Sequence, residues 1–291
     1  MRENGLTITR RDFMRGAASA ALVAAVGLPS VAAEQRSKVV LVRDAKVLDA
    51  AGKINPVVLA RMLDQAVAKL LGEPSADSAW KRLVKPTDFI GIKSNVWNRL
   101  PTPPEIEEII RKRVITAGVG PARVFCDDRG SKDRFQQSTG LINVRPARAH
   151  NLSGMGSCIK NYITLTPKPS EYHPDACADL ASIWQLPIAK GKTRLNIQVL
   201  LSPQFYIRGP QGYDPRYLWA YKGLAVSLDP VAVDTVAAHL LKTKRIQYFG
   251  EEQALTPTKH IEVADTKYHL GVSELSRIDL IKLGWTKDAL I

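Results

Sequence analysis

Short apolar runs alternate with amphipathic helices along this chain, and that alternation leaves few folds open. Lys38-Val39-Val40-Leu41-Val42-Arg43 is an apolar run bounded by charge, as in a buried strand. Asn55-Pro56 supplies a helix N-cap and a proline at the first helical position. Val58, Leu59, Met62, Leu63, Ala66, Val67, Leu70 and Leu71 then fall at helical spacing until Gly72 stops the run. Residues 73–87 read as a polar connection. Asp88 to Lys93 reads as a second strand, Ile106, Ile109, Ile110 and Val114 as a second helix closed near Gly118, and Ala122 to Phe125 as a third strand. Strand, helix and strand at these lengths predict right-handed crossovers in an α/β fold, a mainly parallel, doubly wound sheet with helices on both faces. Further strands are expected at 195–201, 223–228 and 278–283, with a helix from about Pro230 to Leu241. No solenoid repeat, low-complexity tract or linker divides residues 34–291, so a single domain is expected there.

The N-terminus has a different character. Thr9-Arg10-Arg11-Asp12-Phe13-Met14-Arg15 resembles the twin-arginine export signal, Ser/Thr-Arg-Arg-x-Phe-hydrophobic-basic, with Arg10 and Arg11 as its defining pair. Ala17 to Val26 is a small-residue apolar run, and Val31-Ala32-Ala33 suits cleavage before Glu34. The run is well short of the roughly 20 residues that span a bilayer. Residues 1–33 are therefore expected to be a signal peptide read by the twin-arginine export machinery, giving a periplasmic or otherwise exported product. The resemblance implies a protein that folds before export, often because a cofactor is inserted first.

The chain carries 41 basic and 28 acidic residues; without residues 1–33 the balance is 37 to 26. Such an excess suits an anionic ligand or an envelope surface. Basic residues are neither blocked together nor interleaved with aromatics, so nucleic acid is not an expected partner. No stretch after residue 33 is apolar enough for a stable membrane span. Cys126, Cys158 and Cys177 include no Cys-x-x-Cys pair. One disulfide with a leftover thiol, metal ligation and inert buried thiols all remain open.

In open α/β sheets, ligands bind beyond the carboxyl ends of strands. Three polar stretches are expected there. In "IKSN", Lys93 offers a point charge and Asn95 a donor and an acceptor; a snorkelling lysine and a turn asparagine are the structural alternative. In "FCDDRG", Asp127 and Asp128 suit a divalent oxygen-liganded metal, although Arg129 could equally neutralise them. In "SLDPVAVD", Asp229 fits a helix N-cap, while Asp234 lies among apolar residues, either on the edge of the helix's solvent face or held inward, where burial would raise its pKa and equip it for proton transfer. "GMGSCIKNYITL" adds Gly154 and Gly156 for tight turns, then Cys158, Lys160 and Asn161. His173 lies downstream as a further proton carrier or ligand. Neither His-Glu-x-x-His nor Gly-x-Ser-x-Gly occurs.

Together "KVVLVRDAKV", "IGIKSN", "AGVGPARVFCDD", "GSCIKNYITL" and "SLDPVAVDTVAAHLL" resemble the family catalogued as domain of unknown function 362, over most of residues 38–245. The family's Lys-Pro-Asn corresponds to Lys93-Ser94-Asn95 and its Gly-Asp-Gly-like turn to Cys126-Asp127-Asp128, with either acid as the equivalent. Its Lys-Asn falls on Lys160-Asn161 and its Asp-Pro-x-Ala-x-Asp on Asp229 to Asp234. The resemblance implies a shared site without a common reaction. Some members are fused to iron–sulfur ferredoxin modules; this chain has no such cysteine cluster, so a redox link would need a separate partner protein. The expectation is an exported protein whose Lys93, Asn95, Lys160 and Asn161 hold a small anionic ligand. Asp127 or Asp128 would carry a metal, and Asp234 or His173 would move protons if it is an enzyme. The alternative is a non-catalytic periplasmic binding or accessory protein.

Overall fold

Asn55 caps the first helix as its sequence predicts, its side-chain oxygen accepting from the Val57 and Val58 N–H groups. The computed structural model describes residues 36–208 and 212–291; the signal-peptide expectation, with Arg10 and Arg11, lies outside them. Arg36–Ile291 form one compact unit. The strands are β1 (Ser37–Arg43), β2 (Ile90–Lys93), β3 (Val124–Asp127), β4 (Gly140–His150), β5 (Gly154–Gly156), β6 (Thr193–Gln204), β7 (Gly223–Ser227) and β8 (Ile278–Gly284). The helices used below are α1 (Pro56–Leu71), α2 (Ala76–Leu83), α3 (Pro104–Thr116), α4 (Lys132–Gln137), α5 (Pro230–Phe249) and α6 (Lys259–Thr266).

The strands form one sheet in the order β3-β2-β4-β6-β7-β1-β8, with β5 attached to β4. β3, β2, β4 and β6 are mutually parallel, as are β1 and β8, while β7 runs antiparallel to both its neighbours. Helices α1, α2 and α3 cover one face, packing on Val40, Ile90, Ile92, Val124, Ile142 and Ile197. The other face, with Val39, Phe125, Leu141 and Ala225, lies under α4, α5, α6 and the segments between β5 and β6. The fold is thus the mainly parallel α/β arrangement that the apolar pattern predicts. Among the described residues, no helix is long and apolar enough to cross a membrane.

Three expectations change. Residues 73–87 are not merely a connection: Ser75 caps α2, which buries Ala79, Trp80 and Leu83. Three apolar positions over two turns are too few to announce a helix in sequence. The helix begun at Pro230 runs on to Phe249, ended by Gly250 in the left-handed region. β4, eleven residues long, is absent from the predicted elements because Asn143, Arg145 and Arg148 interrupt its apolar pattern, yet all three are buried. Pro146 is tolerated within it because β2 ends opposite Asn143 and β5 pairs only from Arg148 onward. That side of Pro146 therefore has no ladder to break.

Candidate functional site

The ends of β2 and β3 lie side by side, with Lys93 paired in register with Asp127 on one flank and Asn143 on the other. Asn143 pairs with Asn196 of β6, and Asn196 with Ser227 of β7. One polar row therefore crosses five strands on a single face, because in-register residues of paired strands point the same way. Amide groups link it. Asn161 Nδ2 donates to Asn143 Oδ1 at 2.8 Å and to the Lys93 carbonyl at 3.0 Å. Asn143 Nδ2 donates to Asn196 Oδ1 at 3.0 Å.

From this row Lys93 reaches Asp128, just beyond the end of β3, in a fully buried ion pair with Nζ 2.6 Å from Oδ1. Thr164 Oγ1, the Val96 N–H and Arg129 Nε donate to the remaining positions of the Asp128 carboxylate. Burial would raise this carboxyl, but the Lys93 charge and these hydrogen bonds outweigh it and hold the group at about 2. Lys93 is lowered to about 8, chiefly by burial. Asp127 turns away. Its carboxylate accepts from the N–H groups of Asp128, Arg129 and Gly130 and from Ser131 Oγ at 2.5 Å, closing the turn after β3.

The oxygens of Asp127 and Asp128 face hydrogen-bond donors and an ammonium rather than a shared space. Among the described residues, no group of three or more His, Cys, Asp or Glu is placed to hold a metal ion. The three cysteines are free. Cys126 faces Glu107 and its thiol is pushed up to about 12 by burial and that carboxylate. Cys158 is raised well above its ordinary value by burial and the Asp234 charge.

Asp234 is fully buried on α5, its pKa raised to about 7 by burial against the opposing pull of its hydrogen bonds. Those bonds define its task. Ser157 Oγ donates at 2.6 Å, Ile159 N at 2.8 Å and Cys158 N at 2.9 Å. The carboxylate thereby pins the loop that carries Lys160 and Asn161. Asp229 caps α5 through the Val231 and Ala232 N–H groups and also takes the Ser37 hydroxyl. Because β7 runs against its neighbours, its carboxyl end lies at the amino end of β1. Asp229 follows Ser227 by two residues on the side of the row away from the carboxyl end of β2, and β4 and β6 separate its strand from β2, so the expected convergence of all three does not occur.

The sequence reading missed the most telling groups. Arg145 and Arg148 extend from β4 beyond the end of β2, and each is buried. Gly156 allows this, since a Cβ there would meet Arg145 Nη2 at 3.1 Å and Arg148 Cγ at 3.4 Å. Arg145 donates to the Ser157 carbonyl at 3.4 Å, and its Nε has no partner. Arg148 lies 3.7 Å over the Trp97 ring, also with an unpartnered Nε. Trp97, in the loop after Asn95, meets Tyr213 edge-on at 6.1 Å. Lys160 is 3 % exposed, and among the described residues its Nζ hydrogen-bonds only to the Cys177 thiol, at 3.5 Å. Burial, joined by repulsion from Arg145, lowers Arg148 to about 9; burial also lowers Arg145 to about 10 and Lys160 to about 8. No carboxylate lies within ion-pair distance of any of the three among the described residues.

The imidazoles nearby do not balance this charge. Burial and the same cations drive His150 to about 2 and His260 to about 3, so both are neutral. His173 is partly exposed and lowered by burial and by Lys160. No hydrogen bond among the described residues joins it to Asp234. Asn95 pairs its backbone with Thr102, leaving Oδ1 buried without a partner. The pattern Asn-x-Arg-x-x-Arg in "NVRPARAH" is the signal that could have revealed this buried cationic cluster, since two arginines seldom interrupt a buried strand without a partner for their charge.

Residues 123–239 match the family model described as Domain of unknown function (DUF362). This supports the resemblance drawn from the motifs. The matched stretch holds Asp128, Arg145, Arg148, Lys160, Asn161 and Asp234, while Lys93 and Asn95 precede it. No curated protein and no solved structure matches the chain.

Proposed function

We propose that this protein binds a small anion, a phosphate- or carboxylate-bearing molecule, between the end of β2, strand β5 and the loop at 157–161. One observation carries the reading: Arg145, Arg148 and Lys160 are buried together with no carboxylate at ion-pair distance among the described residues, Asp128 and Asp234 reaching Arg145 only through longer-range attraction. Isolated buried cations are strongly unfavourable, and an anion taken from solution would neutralise them at once. Two guanidinium groups suit bidentate oxygen ligands, with Lys160 as a point charge. Trp97 would close the site over Arg148.

Asp234 is engaged in holding the loop and His173 stands apart from it, which favours a binding role over proton-transfer catalysis. The motif around Arg10 and Arg11 supports export by the twin-arginine route, giving a periplasmic binding protein folded before translocation. The test is thermal melting with inorganic phosphate as the probe. A ligand bound only to the native state stabilises it by about 2.7 kcal/mol at a hundred times its dissociation constant. A saturable rise in Tm, lost in Arg148→Gln, is expected. Melting indifferent to phosphate, sulfate and small carboxylates would overturn the proposal.

A further inference from the structure

Lys160 Nζ has one hydrogen-bonding neighbour among the described residues, the thiol of Cys177 at 3.5 Å. The two side chains are 3 % and 0 % exposed. Cys177 reaches this position from a strained backbone. Asp175, Ala176 and Cys177 have φ angles of 48°, 55° and 62°, three consecutive non-glycine residues in the left-handed region. Each is unfavourable for a residue with a Cβ, and such strain persists only where the surroundings enforce it. Here an ion pair between Lys259 and Asp175 holds the turn from outside, and Cys177 N donates to the His173 carbonyl at 3.3 Å. The conformation brings a sulfur that is part of the apolar core within reach of an amine.

The carbonyls of Leu152 and His173 approach the sulfur at 3.6 and 3.8 Å. Leu152 is 42 % exposed and His173 is partly exposed, so the pair lies one residue beneath the surface. A molecule as small as dioxygen or a peroxide need cross only that layer. Neither of the other cysteines hydrogen-bonds an amine among the described residues: Cys126 meets Glu107, with Lys93 acting on it only through its field, and Cys158 lies in the field of Asp234.

We propose that Lys160 and Cys177 form an oxidative modification site, in which Nζ and Sγ become joined through one bridging oxygen and the joined form releases the anion. The second part rests on the reading of Lys160 as a ligand-holding cation. In the reaction an amine N–H and the thiol S–H break, and one N–O and one O–S bond form. A further N–H of the amine is retained. Dioxygen accepts four electrons from the amine and thiol, leaving one oxygen in the bridge and one in water. With hydrogen peroxide as oxidant, two equivalents are reduced and three waters form. The burial that holds Lys160 at about 8 increases the share of neutral amine that this chemistry needs. The bridged nitrogen no longer carries the ammonium charge, so the pocket keeps two of its three cations. A thiol reductant in excess returns amine, thiol and water.

The experiment uses the full chain treated with hydrogen peroxide, then with dithiothreitol, followed by intact mass, peptide mapping and calorimetric titration with inorganic phosphate. The expected product is heavier by one oxygen less two hydrogens, has the Lys160 and Cys177 peptides joined, and reverts with dithiothreitol. Its affinity for phosphate should fall roughly tenfold and recover on reduction. Cys177→Ser should form no cross-link, and its affinity should not respond to peroxide. Should that variant fail to fold, Lys160→Arg serves instead, with Cys177 oxidised alone. An unmodified protein, a direct S–N bond, or Cys177 oxidised to sulfenic or sulfinic acid while Lys160 still accepts an acylating reagent would overturn the cross-link. A phosphate affinity unchanged in the joined form would overturn its control of binding. Failure of the reduced protein to bind phosphate would instead count against the pocket, because mass alone decides the cross-link.

Discussion

Replacing Asp128 by Asn removes one charge from a buried pair and leaves the other in place. Lys93 is completely buried, and its strongest contact is the 2.6 Å bond to Asp128 Oδ1. Breaking such a pair by removing one partner is destabilising by about 3–5 kcal/mol. The new amide would also turn its N–H groups toward the Val96 N–H or Lys93 itself. For a chain of this size the deficit corresponds to a fall in Tm of roughly 6–20 °C.

The pH dependence distinguishes this mechanism from simple loss of packing. Asp128 is depressed to about 2 in the folded protein. Its contribution, on the order of 2 kcal/mol, is complete above the ordinary carboxyl range and disappears as pH falls through the folded-state value. Lys93 is also depressed, to about 8, by burial that Asp128 opposes. Between about 8 and the ordinary lysine value, the unfolded chain binds more protons, so parent stability should rise with pH. In Asp128→Asn the amine should lose its proton more readily, so that rise should begin at lower pH, and the Asp128 share of the acid limb should vanish. Urea unfolding from pH 2 to 10, with the m-value checked at each pH, measures both limbs. A deficit below about 1 kcal/mol with both limbs unchanged would refute the claim that Asp128 holds the Lys93 charge.

Three further outcomes follow from the same geometry. Arg148→Gln should weaken phosphate binding at least tenfold without lowering the Tm of the unliganded protein, because an unpaired buried charge is lost; calorimetry and melting check the two halves. Asp234→Ala leaves Ser157 and the Cys158 and Ile159 N–H groups without their acceptor, so it should cost roughly 3 kcal/mol and raise amide exchange across residues 157–161, read by mass spectrometry. Replacing Arg10 and Arg11 by Lys should leave the precursor in the cytoplasm, whereas unchanged export seen by fractionation would reject the signal reading.

Local signals fixed most of the framework. Asn55-Pro56 and Gly72 delimited the first helix because capping and left-handed termination depend on neighbouring residues alone. The apolar runs ending at Lys93 and before Asp127 were equally legible, as was their shared sheet edge, since strand, helix and strand of these lengths admit few arrangements. The placement of Asp229 as a cap was legible too, but not which side of the polar row it would take. That depended on the reversed direction of β7, set by its pairing with β1 and β6.

The buried cationic cluster belonged to tertiary structure. Arg145 and Arg148 looked like residues that exclude a strand, because pattern reading assumes that charge faces water. They are buried because β2 stops at Lys93 and β5 begins only opposite Arg148, opening a gap beside β4 that two guanidinium groups occupy. Asp127 and Asp128 are adjacent in sequence and chemically identical, yet one closes a turn and the other pairs with a lysine thirty-five residues away. Sequence determined which charges the chain possesses and where its strands lie. Only packing decided which charges lost their water and which were left without a partner, because burial and pairing arise between residues distant along the chain.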